Sequence, residues 1–248
     1  MLPTVEILGL SIRLFGVMIV VALVVALIML VRRAHELGAP ERWATEGAFV
    51  AIAGALAGAR IYYVLKNGGD VSLTGGGLVY FGGVLGAALA VLVWGRLRGV
   101  PLRLADSAAP VAAAVYAILR IGCQLAGDGD YGRPSDLPWA MGYPDGTLPT
   151  PPGVEVHPTP VYETLASGLA AVWLWRRRDA YRPGVLTAVW LLFAGAERFL
   201  VELVRRNPDV AVGLTSPQLQ SLVLVAAGGG LLAHLAFARG PTEKKPAA

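Results

Sequence analysis

Seven apolar stretches separated by short connectors constrain this chain more than any other feature. They are residues 14–31, 47–65, 78–93, 107–125, 161–175, 185–204 and 217–237. A helix that crosses a bilayer needs about 20 mostly apolar residues, because its backbone N–H and C=O groups must be satisfied without water. The stretches fall near that length, so the expected fold class is an all-α integral membrane protein with about seven transmembrane helices. Composition points the same way: 15% of the 248 residues are charged, against about 25% in an average soluble domain. Mean hydropathy is +0.59. No internal repeat and no soluble domain interrupts the pattern, so a single transmembrane domain over 1–248 is expected.

The connectors set the orientation. Arg32, Arg33 and Arg42 follow the first stretch, and Arg96, Arg98 and Arg103 the third. Arg176, Arg177, Arg178 and Arg182 follow the fifth, and Arg239, Lys244 and Lys245 the seventh. The alternate connectors are poorer in base: Lys66, then Arg133, then Arg205 and Arg206. Basic residues stay on the cytoplasmic side, which predicts a multi-pass plasma (inner) membrane protein with its amino end outside and its carboxyl end in the cytoplasm. The polar loop 126–159 then lies on the outer face, and the short basic tail 239–248 lies inside. The start lacks a basic segment and a small-residue cleavage site, so the first stretch reads as a retained helix. Trp139, Met141 and Tyr143 suit a loop that rests at the membrane interface. Glycines at 54, 58, 82, 83 and 86 let helices approach closely, and Gly228, Gly229 and Gly230 do the same or add flexibility.

The lone Cys123 excludes an internal disulfide. No spacing of His, Cys and Asp matches a metal site, so no metal and no cofactor is expected. No Walker or Rossmann glycine pattern is present, and no basic-aromatic surface suggests nucleic acid. A monomer is expected.

Polar chemistry gathers between Arg120 and Glu163, and charge near hydrocarbon is costly enough to mark a site. Arg120 stands near the outer end of the fourth stretch, suited either to snorkelling or to holding a phosphate. Gly122, Gly127, Gly129 and Gly132 follow, a run able to present backbone N–H groups to an anion. Asp128 and Asp130 read as a base, as partners of Arg120 or Arg133, or as solvated acids. His157 caps or orients the fifth helix, Glu163 suits that helix's amino end, and Cys123 reads as a small buried residue. Arg60, Glu197, Arg198 and Glu202 fall inside stretches. Arg198 and Glu202, at i and i+4, share a helix face. They form either an internal ion pair or a guanidinium fork aimed at a lipid phosphate.

In order, the chain carries Gly58-Ala-Arg60-Ile-Tyr-Tyr-Val64, Gly76-Gly-Leu-Val-Tyr-Phe-Gly-Gly83 and Arg120-Ile-Gly. It continues with Tyr131-Gly-Arg-Pro-Ser-Asp-Leu-Pro-Trp-Ala-Met141, His157-Pro-Thr-Pro-Val-Tyr-Glu163, Gly195-Ala-Glu-Arg-Phe-Leu-Val-Glu202 and Arg206-Asn-Pro-Asp209. Together these resemble the signature of the bacterial prolipoprotein diacylglyceryl transferases over nearly the whole length. The resemblance implies seven spans with the amino end outside. It implies transfer of the diacylglyceryl group of phosphatidylglycerol to the thiol of a lipobox cysteine in a secreted prolipoprotein, giving a thioether and glycerol phosphate. By the same resemblance Arg120 and Arg198 bind phosphate or stabilise the transition state. Gly132 matches an essential glycine, and Glu163 and Glu202 organise the site.

The candidate catalytic set is thus Arg120, Arg198, Asp128, Glu202, Gly132 and His157. The candidate lipid contacts are Arg120, Arg133, Arg198, Arg60, Glu163 and Tyr162. Five positions depart from the family pattern. Phe81 replaces a histidine proposed there as a base, and Cys123 replaces an asparagine. Asp128 replaces a glutamate in a stretch one residue longer, Phe15 a tyrosine near the amino end, and Ala194 a tyrosine before Gly195. Two readings stay open: a divergent transferase with Asp128, Asp130 or His157 as base, or a paralogue that binds anionic phospholipid or uses another acceptor. A non-enzymatic transporter is a third class, but the chain lacks the repeated halves such carriers show. The lipid readings share one requirement: Arg120 and Arg198, 78 positions apart, must converge.

Overall fold

The computed structural model describes residues 3–7, 10–66 and 80–237. In chain order these form β1 (Thr4–Ile7), β2 (Leu10–Arg13), α1 (Leu14–Glu36), α2 (Arg42–Lys66), α3 (Tyr80–Arg98), α4 (Leu102–Asp106) and α5 (Ala108–Ala126). Then come α6 (Thr159–Arg176), α7 (Val185–Glu202), β3 (Asp209–Ala211), β4 (Leu214–Thr215) and α8 (Ser216–Phe237). The protein is mostly helical, and helices cover most of the described part of each of the seven apolar stretches. Four helical segments are long and apolar enough to cross a membrane: Leu14–Glu36, Arg42–Leu65, Leu102–Ala126 and Ser216–Phe237. Helices α6 and α7 have 18 residues each and carry Glu163, Arg198 and Glu202.

Helix ends run past the apolar stretches where polar side chains satisfy them. Helix α1 continues to Glu36, whose carboxylate takes Arg32 at 3.2 Å and Arg33 at 3.0 Å. Two antiparallel hairpins were not expected from sequence. β1 pairs with β2 from Thr4↔Arg13 to Ile7↔Leu10, and β3 pairs with β4 around a turn in which Val212 and Gly213 take φ of 47° and 71°. The 76–79 part of the sequence motif, the Phe81 side chain and the basic tail beyond 237 lie outside the described residues.

The chain forms two compact units, one of residues 26–105 and one of residues up to 25 with those from 106. In the first, α2 and α3 pack through glycine. A Cβ on Gly58 would lie 2.3 Å from the Gly82 carbonyl oxygen, and one on Gly86 2.2 Å from that of Gly54. No side chain fits between such backbones, so dispersion contacts and close approach hold the pair.

In the second unit, α5, α6 and α7 share a core of Ala109, Ala113, Ala171, Leu174 and Leu186. Helix α7 is capped from a distance. Asp106 accepts the Thr187 N–H at 2.8 Å, the Thr187 hydroxyl at 2.6 Å and the Leu186 N–H at 3.3 Å, satisfying donors that a helix start leaves open. Gly228 meets the Ala188 carbonyl of α7, whereas Gly229 and Gly230 face open space.

The loop between α5 and α6 is ordered by its own small core of Tyr131, Tyr143 and Val156. The two tyrosine rings stack at 4.7 Å, and Val156 bridges both Pro134 and Met141. Tyr143 was expected at a membrane interface. It is instead fully buried, its hydroxyl donating to Gln124 at 2.8 Å, and burial pushes its phenol up to about 12. Of the three residues, Trp139 remains exposed.

Candidate functional site

The site is built on one carboxylate. Glu163, on α6, is wholly buried. Its Oε1 accepts the Tyr116 hydroxyl at 2.6 Å and lies 3.2 Å from Arg120 Nη2 of α5 and 3.4 Å from Arg198 Nη1 of α7. Its Oε2 faces Arg205 Nη1 at 3.6 Å. Arg198 also pairs with Glu202 one turn on, at 2.9 Å, and Glu202 accepts the Asn207 amide at 2.6 Å. Asp130, from the loop, accepts from both Arg120 and Arg205. The two guanidiniums singled out in the sequence therefore converge, on Glu163, and a third joins them.

The cluster holds three guanidiniums (Arg120, Arg198, Arg205) and three carboxylates (Asp130, Glu163, Glu202), so its formal charges cancel. Cancellation is what makes burial tolerable: an isolated ion moved into a low-dielectric interior costs several kcal/mol, and removing one partner exposes that cost. Satisfaction is incomplete, however. Arg120 Nε and Arg205 Nη1 are buried without a hydrogen-bond partner.

The glycine run has a different use from the one expected. The Gly127 N–H closes α5 onto the Cys123 carbonyl with φ at 56°. The Gly132 and Arg133 N–H groups donate to the carbonyls of His157 and Val204, at 2.8 and 2.7 Å. These three donors are thus spent on backbone. Gly132 matters for space: a Cβ there would sit 2.5 Å from the Val204 oxygen and 2.9 Å from the His157 Cβ. It lets the loop, the start of α6 and the exit of α7 meet beneath the charge cluster.

The other expected residues divide. Arg133 donates its Nε to the Arg205 carbonyl at 2.9 Å, bracing the chain where Arg205 turns inward. Arg60 belongs to the 26–105 unit, where it stacks on Tyr63 at 5.4 Å. His157 was expected to cap or orient the fifth apolar helix. That helix, α6, has Pro158 at its cap position and no side-chain cap bond. His157 does not cap it, but its ring Nδ1 meets the hydroxyl of Tyr162 on α6 at 3.2 Å, and that hydroxyl also accepts the Trp139 indole N–H at 2.8 Å. These three line a cleft of about 420 Å³ with Leu137, Leu200, Val201 and Val204. Glu163 lies beyond the first turn of α6, which contains no acid; guanidiniums hold it, not the helix dipole. Glu197 accepts Ser167 at 2.9 and 2.7 Å.

The two loop acids differ. Burial alone would raise the Asp130 pKa, but Arg120 and Arg205 outweigh it and hold it below the usual carboxylate range. Asp128, raised by burial and then by Asp130, is the better proton acceptor. Cys123, Asp128 and Asp130 bring one ligand atom each within 4.8 Å of one another. Two guanidiniums already engage Asp130, so these residues do not fit a cation.

Arg205, Tyr116 and Asn207 were not singled out in the sequence. Arg205 reads there as one more connector base. Its signal was the i, i+3 spacing from Glu202, although α7 ends at Glu202; Tyr116 and Arg120, at i and i+4, share a face of α5.

Comparison with known proteins gives the family. A family model described as prolipoprotein diacylglyceryl transferase matches residues 3–234. A phosphatidylglycerol–prolipoprotein diacylglyceryl transferase of Clostridium tetani is 30% identical over 233 residues, covering 90% of this chain and 93% of that protein. One from Bordetella avium is 35% identical over 206 residues, covering 77% and 76%. One from Finegoldia magna is 30% identical over 235 residues, covering 90% and 91%. The chain belongs to the prolipoprotein diacylglyceryl transferase family, a family of membrane-bound transferase enzymes.

Proposed function

We propose that this protein transfers the diacylglyceryl group of phosphatidylglycerol to the thiol of a lipobox cysteine in a secreted prolipoprotein. The thiolate sulfur attacks the carbon of the diacylglyceryl moiety that bears the phosphate ester. A C–S bond forms, the C–O bond breaks, and glycerol phosphate leaves carrying the charge. Fixed guanidiniums suit that step, because they stabilise charge as it develops without reorganising. The observation that carries this reading is the meeting of Arg120, Arg198 and Arg205 around Glu163, with the buried Arg120 Nε lacking a hydrogen-bond partner. Asp128 takes the thiol proton, Asp130 being held as a carboxylate by its two arginines. Gly132 and Arg133 set the loop against α7. His157, Tyr162 and Trp139 line the cleft beside it. Arg60 is a lipid contact by family resemblance.

The same reading has seven spans in a single membrane domain, a monomer, the amino end outside and the loop between α5 and α6 on the outer face. Outside-only labelling of a Ser135→Cys variant in intact cells supports that topology; labelling from the cytoplasmic side alone rejects it.

A second reading is favoured by Phe81 and Cys123 at two family polar positions and by the zero net charge of the cluster. In it the protein binds anionic phospholipid, or uses an acceptor other than a lipobox thiol. Purified protein in phosphatidylglycerol vesicles, given a lipobox peptide, separates the two. Glycerol phosphate release with a matching gain in peptide mass supports transfer. Lipid binding that Arg120→Ala and Arg198→Ala both weaken, without turnover, supports the second reading.

A further inference from the structure

A second groove lies at the opposite end of α6 and α7 from the charge cluster, and the transfer reaction does not use it. It encloses about 450 Å³ and is lined by Ala180, Tyr181, Arg182, Val185, Leu232, Leu235 and Ala236. That volume falls in the range of small-molecule sites. The turn at Gly184, with φ of 94°, folds the α6–α7 connector over α8, and a Cβ there would touch Leu235. The walls are aliphatic and the rim carries a cation.

Acids hold some of the cations in the other described basic connectors. After α1, Arg32 and Arg33 are held by Glu36. After α3, Arg98 is held by Glu46 at 3.2 Å. Between α6 and α7 the single acid, Asp179, faces Arg178 at 3.9 Å, and Arg178 also stacks on Trp175. Among the described residues the guanidiniums of Arg176, Arg177 and Arg182 have no acidic partner. Arg182 is half-buried, so it lies in the groove wall and does not simply reach into water. Tyr181 and Trp173 add adjacent aromatic rings, centroids 6.3 Å apart, of the kind enriched at headgroup level. An aliphatic slot with an unneutralised planar cation at its mouth matches one ligand chemistry: a phosphate monoester or diester on a hydrocarbon chain.

We propose that this groove holds one anionic phospholipid, separate from the transferred lipid, with its phosphate on Arg182 and an acyl chain against Val185, Leu232 and Leu235. The inference goes beyond the transfer reaction and does not depend on it. Basic pockets between helices recognise acidic headgroups through fixed charge, and each nearby guanidinium contributes a severalfold gain in affinity.

The test is native mass spectrometry of the full-length protein in neutral detergent, titrated with phosphatidic acid or with phosphatidylcholine. One phosphatidic acid should be retained per chain, and it should persist in an Arg120→Ala/Arg198→Ala variant whose headgroup site is disabled. Arg182→Ala should weaken retention about fivefold, and Arg182→Lys should restore most of it. Leu235→Trp fills the slot without touching charge and should abolish retention. It carries the test alone if Arg182→Ala does not fold. Equal retention by wild type and Arg182→Ala overturns the site, as does equal retention of phosphatidylcholine. Loss only in the Arg120/Arg198 variant assigns the lipid to the catalytic cluster and overturns it too. No retention at all rejects the proposal.

Discussion

The α2–α3 pair and the α5–α6–α7 group are made from similar apolar helices, yet they are held together by opposite means. Gly54, Gly58, Gly82 and Gly86 let α2 and α3 come together backbone on backbone. Such an interface needs no charge and pays no desolvation. Helices α5, α6 and α7 also share a small apolar core, but they bring Arg120, Glu163 and Arg198 together as ions. Replacing a buried ion cluster by well-packed apolar residues is often neutral or stabilising. Adhesion alone therefore does not explain the second arrangement. The glycine interface is what a helix pair needs to stay together, and the ionic one is what the proposed phosphate site needs. Each substitution below probes one side of that contrast.

Removing Glu163 should have the largest effect. Glu163→Ala leaves three guanidiniums with two carboxylates, Asp130 and Glu202, a loss of about 3–5 kcal/mol, read as a fall in thermal midpoint in detergent. Glu163→Gln should lose less, since an amide still accepts from Tyr116. If Glu163→Ala melts like wild type, the cluster does not hold the helices.

Arg120→Ala and Arg198→Ala should each lower transfer about 10²–10³-fold, measured as glycerol phosphate release. Lysine at either place should recover only part, because it lacks the planar fork. Full activity in both alanine variants would separate the ionic cluster from the chemistry.

Gly58→Ala should cost about 1–3 kcal/mol by overpacking, with transfer per folded molecule unchanged. Gly229→Ala, where nothing lies within 4 Å, should stay within about 0.5 kcal/mol of wild type. Equal melting of the two would remove the case for backbone-close packing.

The smallest effect is the pH dependence of the loop acids. The Asp130 pKa is depressed in the fold, so its contribution is present above the ordinary aspartate value and is lost as pH falls through the lowered one. The Asp128 pKa is raised, so the fold takes up its proton more readily and is progressively destabilised as pH rises from the ordinary value through the raised one. Asp128→Asn should therefore melt slightly higher than wild type at neutral pH, and the gap should close in acid. The reverse order for Asp128→Asn would mean that Asp128 is stabilised as an anion.

Much of this was legible in the residues. Among the described residues long helices cover most of each apolar stretch, because hydrocarbon leaves a backbone few choices. Arg120, Glu163, Arg198 and Glu202 stood out because charge inside such stretches is rare and expensive. Helix ends were less legible: α2 starts at Arg42, five positions before its apolar stretch, since polar side chains continue a helix as readily as apolar ones. Arg205 was hidden because a cation just past a helix looks the same whether it faces water or turns inward. Its direction depends on Asp130, 75 residues away. Tyr143 was misjudged for a related reason. An aromatic in a polar loop suits an interface until Tyr131 and Val156 give the loop a core of its own.

Sequence alone determined the class of protein, the placement of its helices and the family, since these follow from apolar length and from ordered motifs. The tertiary structure decided that three distant arginines meet on one buried carboxylate, and that the glycines at 127 and 132 serve packing before anything else. The physical reason is range. Burial of a segment is written in its own residues, whereas pairing of charges depends on which helices lie side by side, and no single segment carries that information.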